Sequence, residues 1–300
     1  MPVLCALGLL ITAGPVCAQG TSAQGGVRNK AYWQGVITNE FKPPAGVPLL
    51  ILLGELNTML GSPDPELRDD IAYSVLATWI YRQRIVPVGE RMRLLRSWQD
   101  NLKAGIGEQG DEGVVLRSFS ALALGVLAIL DTEAPFLDRD AFSTLLASSL
   151  AYLKAEQDVR GFDARLGWLH SVAHTADLVK CLARGRHLQP QEQAVVLTAI
   201  ADKLAAVSTP LVHGEDERLA RAVLSIVGRP DFDEAAFAAW LTTMAPVRQT
   251  GVPTLATLAT GQNRRDLLVS LFAMLSTDRR DLPGITRARA VVLESLKGFM

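Results

Sequence analysis

A recurrent break restricts this chain more than any other feature. Helix-forming stretches open near Glu66, Gly113, Gly167, Asp216 and Arg264, at intervals of 47, 54, 49 and 48 residues. Each is followed by a break and a second helix: Gly89 to Ala104, Asp138 to Gln157, Pro190 to Val207, Asp231 to Met244 and Thr286 to Phe299. Pro87, Pro135, Pro190, Pro230 and Pro283 punctuate the breaks. Proline lacks the amide hydrogen a helix interior needs and pushes the preceding residue out of the helical region. Apolar residues make up 49% of the chain but aromatics only 6%, with Leu and Ala dominant, which favours helices over strands. No stretch alternates cleanly enough to predict a strand. The pattern predicts an all-α array of helical hairpins, a HEAT-like α-α superhelix whose pairs bury their apolar faces against their neighbours. With a weaker pair from Asn29 to Leu60 there are six hairpins, and six could instead close into a compact α/α toroid.

The ends of the chain refine the domain reading. Val3 to Ile11 is a short apolar run and Thr12 to Ala18 a small-residue region, the pattern of an export signal cleaved after Ala18. No Lys or Arg precedes the run, and bulky Val16 argues against a lipid-modified Cys17. Residues 1–18 are therefore read as a signal peptide, 19–46 as a leader and weak first helix, and 47–300 as one helical repeat domain. The expected location is periplasmic or secreted. A cytosolic protein with an apolar N-terminus is the alternative. After cleavage Cys181 stands alone, so the mature chain has no internal disulfide and relies on its core. No second apolar stretch reads as a membrane span. A net charge of −1 gives no field for nucleic acid or an anionic membrane.

The least ordinary stretch is Glu156 to Ala183. Trp168, Leu169, Val172, Ala173, Ala176, Val179 and Leu182 recur at helical spacing, predicting a helix from Gly167 to Ala183 buried on several sides. His170, His174, Asp177 and Cys181 then share one face, since residues three and four apart are neighbours. Two histidines at i and i+4 can address one zinc-like divalent ion, with Asp177 or His213 as a further ligand. No adjoining glutamate completes the H-E-x-x-H pattern. A metal site, a metal-free pocket and a structural polar network all remain open. Cys181 reads as a buried structural thiol more readily than as a nucleophile.

The starts of the first helices are charged. Arg68, Asp69 and Asp70 open one, and Arg117 follows Asp111 and Glu112 into the next. Glu215 to Arg218 open the fourth, just after His213. Acidic residues there complement the helix dipole. Stacked hairpins would also bring these ends to one rim, where Asp158, His170 and His213 could converge. The sequence contains no Gly-rich phosphate loop, Gly-x-Ser-x-Gly elbow or paired cysteines for a zinc ribbon.

Five segments carry a family resemblance. They are Arg-Asp-Asp-Ile-Ala-Tyr-Ser from Arg68, Leu-Arg-Ser-Phe-Ser-Ala-Leu from Leu116, Glu-x-Asp-x-Arg-Gly from Glu156, the Gly-Trp-x-His-x3-His-x2-Asp block from Gly167, and His-Gly-Glu-Asp-Glu-Arg-Leu-Ala from His213. Together, over roughly Leu49 to Val227, they resemble a bacterial family catalogued as a domain of unknown function. The resemblance implies an all-helical fold and no particular activity.

Three functions fit these residues. The first is a binding module that offers a pocket around His170, His174 and Asp177 to a protein or peptide. The second is a metal-assisted hydrolase: His170, His174, Asp177 and His213 supply ligands, and Asp158 or Glu215 acts as general base. Arg160, Trp168 and Arg117 would hold its substrate. The third is a carbohydrate-active toroid using Asp158, Asp177 and Glu215, with Trp168 as a sugar platform. A tryptophan on a buried helix is, however, more often core.

Overall fold

Local capping chemistry starts many of the helices. In the computed structural model, which describes residues 28–247 and 251–300, Asn29 accepts from the amide of Tyr32 at 3.0 Å and opens α1 (Lys30–Thr38). After α2 (Leu49–Met59), Asp64 accepts from the amide of Glu66 at 3.0 Å. Asp138 and Asp233 do the same for α6 (Arg139–Ala155) and α10 (Glu234–Thr243). Pro190 opens α8 (Pro190–Ala206), and the carboxylate of Glu192 accepts from the amide of Gln189 at 2.8 Å. Each such cap supplies a partner for an amide that the helix leaves free. The remaining helices are α4 (Val88–Asn101), α5 (Gly113–Glu133), α7 (Ser171–Ala183), α9 (Glu215–Val227), α11 (Leu255–Thr277) and α12 (Pro283–Lys297). The proposed signal peptide at 1–18 and most of the leader lie outside the described residues.

The fold is all-α, in two ranks. In one rank α5 packs on α7, α7 on α9 and α9 on α11; in the other α4, α6, α8, α10 and α12 pack in chain order. The two ranks close on each other through α4–α5, α6–α7, α8–α9 and α11–α12. Among the described residues, the principal packings include none between the first hairpins and the last, the contact that a closed toroid requires. The core runs along the stack as one continuous apolar cluster from Trp33 to Val292. Fully buried Phe119, Leu124 and Leu127 on α5 illustrate its contribution, at about 1.5–3 kcal/mol for each large apolar side chain removed from water.

Four expectations are corrected. The helix expected from Glu66 is a short α-helix, α3 (Ser74–Ala77), between π-helical segments Glu66–Tyr73 and Thr78–Arg82. The last first-rank helix opens at Leu255, capped by Thr254, and not at Arg264. The helix expected from Gly167 opens at Ser171, because Gly167 and His170 take positive φ values of 73° and 51° that no α-helix contains. Gly167–Trp168 instead forms β2, antiparallel to β1 (Phe162–Asp163), so one short ribbon stands where no strand was expected. Its turn is held by Asp163, which accepts from the amides of Arg165 at 2.9 Å and Leu166 at 3.0 Å. The observed first-rank starts fall at Glu66, Gly113, Ser171, Glu215 and Leu255, so the intervals become 47, 58, 44 and 40 residues. The hairpins stack without a fixed repeat length.

One further reading is qualified. By length and composition alone α5 is apolar enough to cross a membrane. It is largely buried in the array, packed on α4 and α7, and it carries buried Arg117 and Asp131.

Candidate functional site

The N-terminal ends of α5, α7 and α9 lie at one rim, joined there by the loop after α6 and the loop after α8. Between these loops is a cleft of about 380 Å³, lined by residues that include Asp158, Arg160, Gly161, Phe162, His213 and Glu215. The two loops meet at Gly161. A Cβ there would lie 2.4 Å from Nδ1 and 2.5 Å from Cγ of His213, so only glycine lets the imidazole settle on this backbone. The carbonyl of Gly161 accepts from the amides of Leu169 at 2.9 Å and His170 at 3.2 Å, which ties the loop to the entry of α7.

Trp168 is anchored from below and open above. Fully buried Arg68 donates to the carbonyls of Leu166 at 2.8 Å, Trp168 at 3.1 Å and Ser62 at 3.1 Å, and its guanidinium lies 4.6 Å from the ring centre of Phe119. The indole side chain nevertheless leaves Trp168 45% exposed, beside Phe162 at 49%. The alternative that Trp168 is core does not hold: the ribbon, and not a buried helix, carries it and leaves it exposed. Its ring stacks on His170 at 4.5 Å with the planes 2° apart, and meets Phe162 and His213 edge-on at 5.0 and 5.9 Å.

His170 is buried, in a left-handed backbone conformation that is uncommon for a side-chain-bearing residue. Neither ring nitrogen has a hydrogen-bond partner among the described residues, and Nδ1 is sealed from solvent. Burial, then the charges of Arg218 and His213, lower its pKa to about 4. The ring is therefore neutral at pH 7, with one donor and one acceptor both unused.

His174 lies one turn deeper, its ring 5.4 Å from that of His170 and 4.8 Å from Phe119. Ser118 sits 2.9 Å from its Nδ1 and donates its own proton to the carbonyl of Leu169. A carbonyl can only accept, so His174 must donate to Ser118, which makes it the Nδ1–H tautomer. Burial also holds its pKa well below the usual imidazole value. Ser118 and His174 thus have the composition of a nucleophile–base pair but not its geometry. The hydroxyl is wholly buried and its proton is already committed to a carbonyl.

The other sequence-predicted residues are placed as follows. Asp177 turns away from the histidines and accepts from Lys180 at 2.7 Å and Arg218 at 2.6 Å. Cys181 is buried, and burial raises its thiol pKa to about 11, which removes the thiolate a nucleophile needs. The expected His170–His174–Asp177–Cys181 line is therefore divided among three environments. Among the described residues, no group of three or more His, Cys, Asp or Glu side chains is placed to hold a metal ion. Arg160 lies at the cleft, but its fork is occupied by Asp158 at 2.6 Å, Asp163 at 3.1 Å and the carbonyl of Asp111 at 2.9 Å. Burial pushes the carboxyl of Asp158 up, and the bonds from Arg160 and from the amide of Gly110 overcome this and lower it. Glu215 accepts from the amide of His213 at 2.7 Å and fixes that loop. Arg117 is wholly buried, donating to Glu156 at 2.6 Å and to the carbonyls of Ala104 and Gly105 at 2.9 and 3.1 Å. It organises the rim and does not face the cleft.

Phe162, Ser118, Glu156 and Lys203 were not singled out from the sequence as site-forming residues. Ser118 beside Arg117 in an apolar helix was the available signal, since buried polar groups demand partners. Nothing local marks Lys203, which reaches the carbonyl of Glu156 from α8.

No curated protein and no solved structure matches the chain. A family model matches residues 102–273, starting C-terminal to the Arg68 segment and running past Val227 into α11. That match covers more than half of the chain, which therefore belongs to the family described as Protein of unknown function (DUF2785).

Proposed function

We propose that the protein is a binding module whose ligand enters the rim cleft and lies against Trp168. The observation that carries this reading is the neutral ring of His170, buried without a hydrogen-bond partner beneath a half-exposed tryptophan. An unpartnered buried polar group costs about 1–3 kcal/mol, and folded proteins seldom retain one without a use. Exposed aromatic rings beside fixed polar groups are the usual make-up of a recognition patch. With Nδ1 sealed, Nε2 is the ring atom a ligand can meet, and a peptide group can donate to it or accept from it in either tautomer, so a protein or peptide segment is the favoured ligand class. The metal-assisted alternative is not favoured, because Asp177 is committed to Arg218 and Lys180 and the histidines do not form a ligand set.

Selection of a displayed random-peptide library on the purified protein tests the proposal. Enriched peptides should bind the wild type and lose at least about tenfold in affinity on Trp168→Ala and on His170→Asn, in keeping with aromatic anchors that dominate interfaces. Peptides that bind both variants as well as the wild type would overturn it.

We further propose export, supported by the apolar run from Val3 to Ile11 and the small residues that follow it. Protein recovered from the envelope or medium of expressing cells should then begin at Gln19. A chain recovered from the cytoplasm with its first residues intact would refute this.

A further inference from the structure

The opposite rim, where α7, α9 and α11 end, holds a second concavity of about 460 Å³, whose lining includes Arg184, Arg186, Arg229, Arg280, Ser225 and Gly228. Cations at helix C-termini commonly serve the exposed carbonyls. Arg229 does this, donating to the carbonyls of Ala183 at 2.9 Å, Gly185 at 3.1 Å and Leu188 at 3.0 Å. Arg186 likewise reaches the carbonyl of Leu137 at 2.6 Å.

That role does not exhaust the charge. Arg229 is neutralised by Asp231 at 2.7 Å and Arg280 by Asp278 at 2.5 Å. Among the described residues Arg186 has only Asp131, at 3.8 Å, and one oxygen of that carboxylate already accepts from the amides of Phe136 and Leu137. Arg184 has no carboxylate among the described residues. Its Nε donates to the hydroxyl of Ser225 at 3.0 Å, which fixes the guanidinium and leaves both terminal nitrogens without a partner among the described residues. Gly228 contributes by lacking a side chain: a Cβ there would lie 2.7 Å from Nη1 of Arg280. The uncompensated guanidinium of Arg184, the weakly paired one of Arg186 and the Nη1 of Arg280 that Asp278 leaves unbonded among the described residues, set around a concavity of this size, match the geometry and charge of a tetrahedral oxyanion.

We propose that this concavity is an anion site for a small phosphate-bearing molecule, gripped by the free terminal nitrogens of Arg184 with Arg186 and Arg280. Its volume exceeds that of a bare phosphate, so an organic part of the ligand fits beside Leu224 and Pro230. The site lies at the far ends of α7 and α9 from the cleft of His170, so each can fail without the other.

Calorimetric titration of the full chain at low chloride decides the matter, with inorganic phosphate, glycerol 3-phosphate and phosphatidylglycerol vesicles as three separate probes. Saturable binding of glycerol 3-phosphate, tighter than that of inorganic phosphate and weakened by added salt, is the expected result. Arg184→Gln should weaken it by about tenfold or more, as loss of a charge-assisted fork does. Gly228→Ala should weaken it too, by displacing Arg280 without removing any charge. Both variants are to be shown to unfold at the wild-type midpoint in the absence of phosphate. Gly228 carries no strained backbone, and Arg184 is exposed, so the fold tolerates both changes. Heats that are unchanged in both variants would reveal an adventitious ion only and overturn the proposal. Association with vesicles but with neither soluble phosphate would overturn it as well.

Discussion

Glu156→Gln costs the fold about 3–5 kcal/mol, the range found when one partner of a buried ion pair is removed and the other charge stays behind. Arg117 and Glu156 are both buried, and two bonds at 2.6 and 3.2 Å join them. Glutamine keeps the shape and can still accept from the amide of Asp158, which Glu156 does at 3.0 Å. What it removes is the charge. Arg117 then has only the carbonyls of Ala104 and Gly105 within the core, and buried Lys203 loses its nearest anion. Burial already lowers the pKa of Lys203 to about 8, with Glu156 opposing, so the variant shifts it lower still. Urea unfolding at pH 7 checks the prediction, because a typical domain has about 5–15 kcal/mol in all. A loss below about 1 kcal/mol, the value of an exposed pair, would contradict this account. The double variant Arg117→Met, Glu156→Gln should recover part of the loss, since the pair itself is worth far less than the charge it leaves stranded.

Acid weakens the fold through its buried imidazoles. In the unfolded chain His170 takes up a proton near the ordinary value of 6.5, whereas in the fold burial, with Arg218 and His213, holds it at about 4, against a small opposing effect of Asp177. A basic group whose pKa is lowered by folding binds its proton first in the unfolded state. Stability is therefore fully present above pH 6.5 and falls as the pH drops from 6.5 to 4. The shift corresponds to about 3 kcal/mol for His170 by the bottom of that window. His174 is lowered in the same direction by its burial and adds to the loss. Urea midpoints between pH 7 and 4 report the slope. His170→Asn, which tolerates the left-handed backbone and does not titrate, should flatten it. Identical slopes for the variant and the wild type would refute the assignment. Nitrogen chemical shifts supply an independent reading, since His174 should be the Nδ1–H tautomer at pH 7.

Much of the fold was legible from residue order alone. Asn29 and Asp138 begin helices through bonds to residues three positions away, and Pro190 opens α8 through its fixed φ, features a linear reading can see. The errors fall where distant contacts override local preference. Nothing near Gly167 in the chain announces that Arg68, a hundred residues earlier, will hold the carbonyls of Leu166 and Trp168 and pull this segment out of the helix. Once His170 takes a positive φ, the helical wheel no longer describes where its ring points, and the predicted line of ligands is lost.

The sequence by itself determined that the chain is helical, where most of its helices begin and end, and that Glu156 to Ala183 holds its unusual chemistry. Only the tertiary structure decided that Asp177 faces Arg218, that Arg117 serves the core, and that Trp168 stands open over a neutral, unpartnered His170. Helix limits follow from backbone interactions over a few residues, whereas the surroundings of a side chain are set by which hairpin is stacked against it.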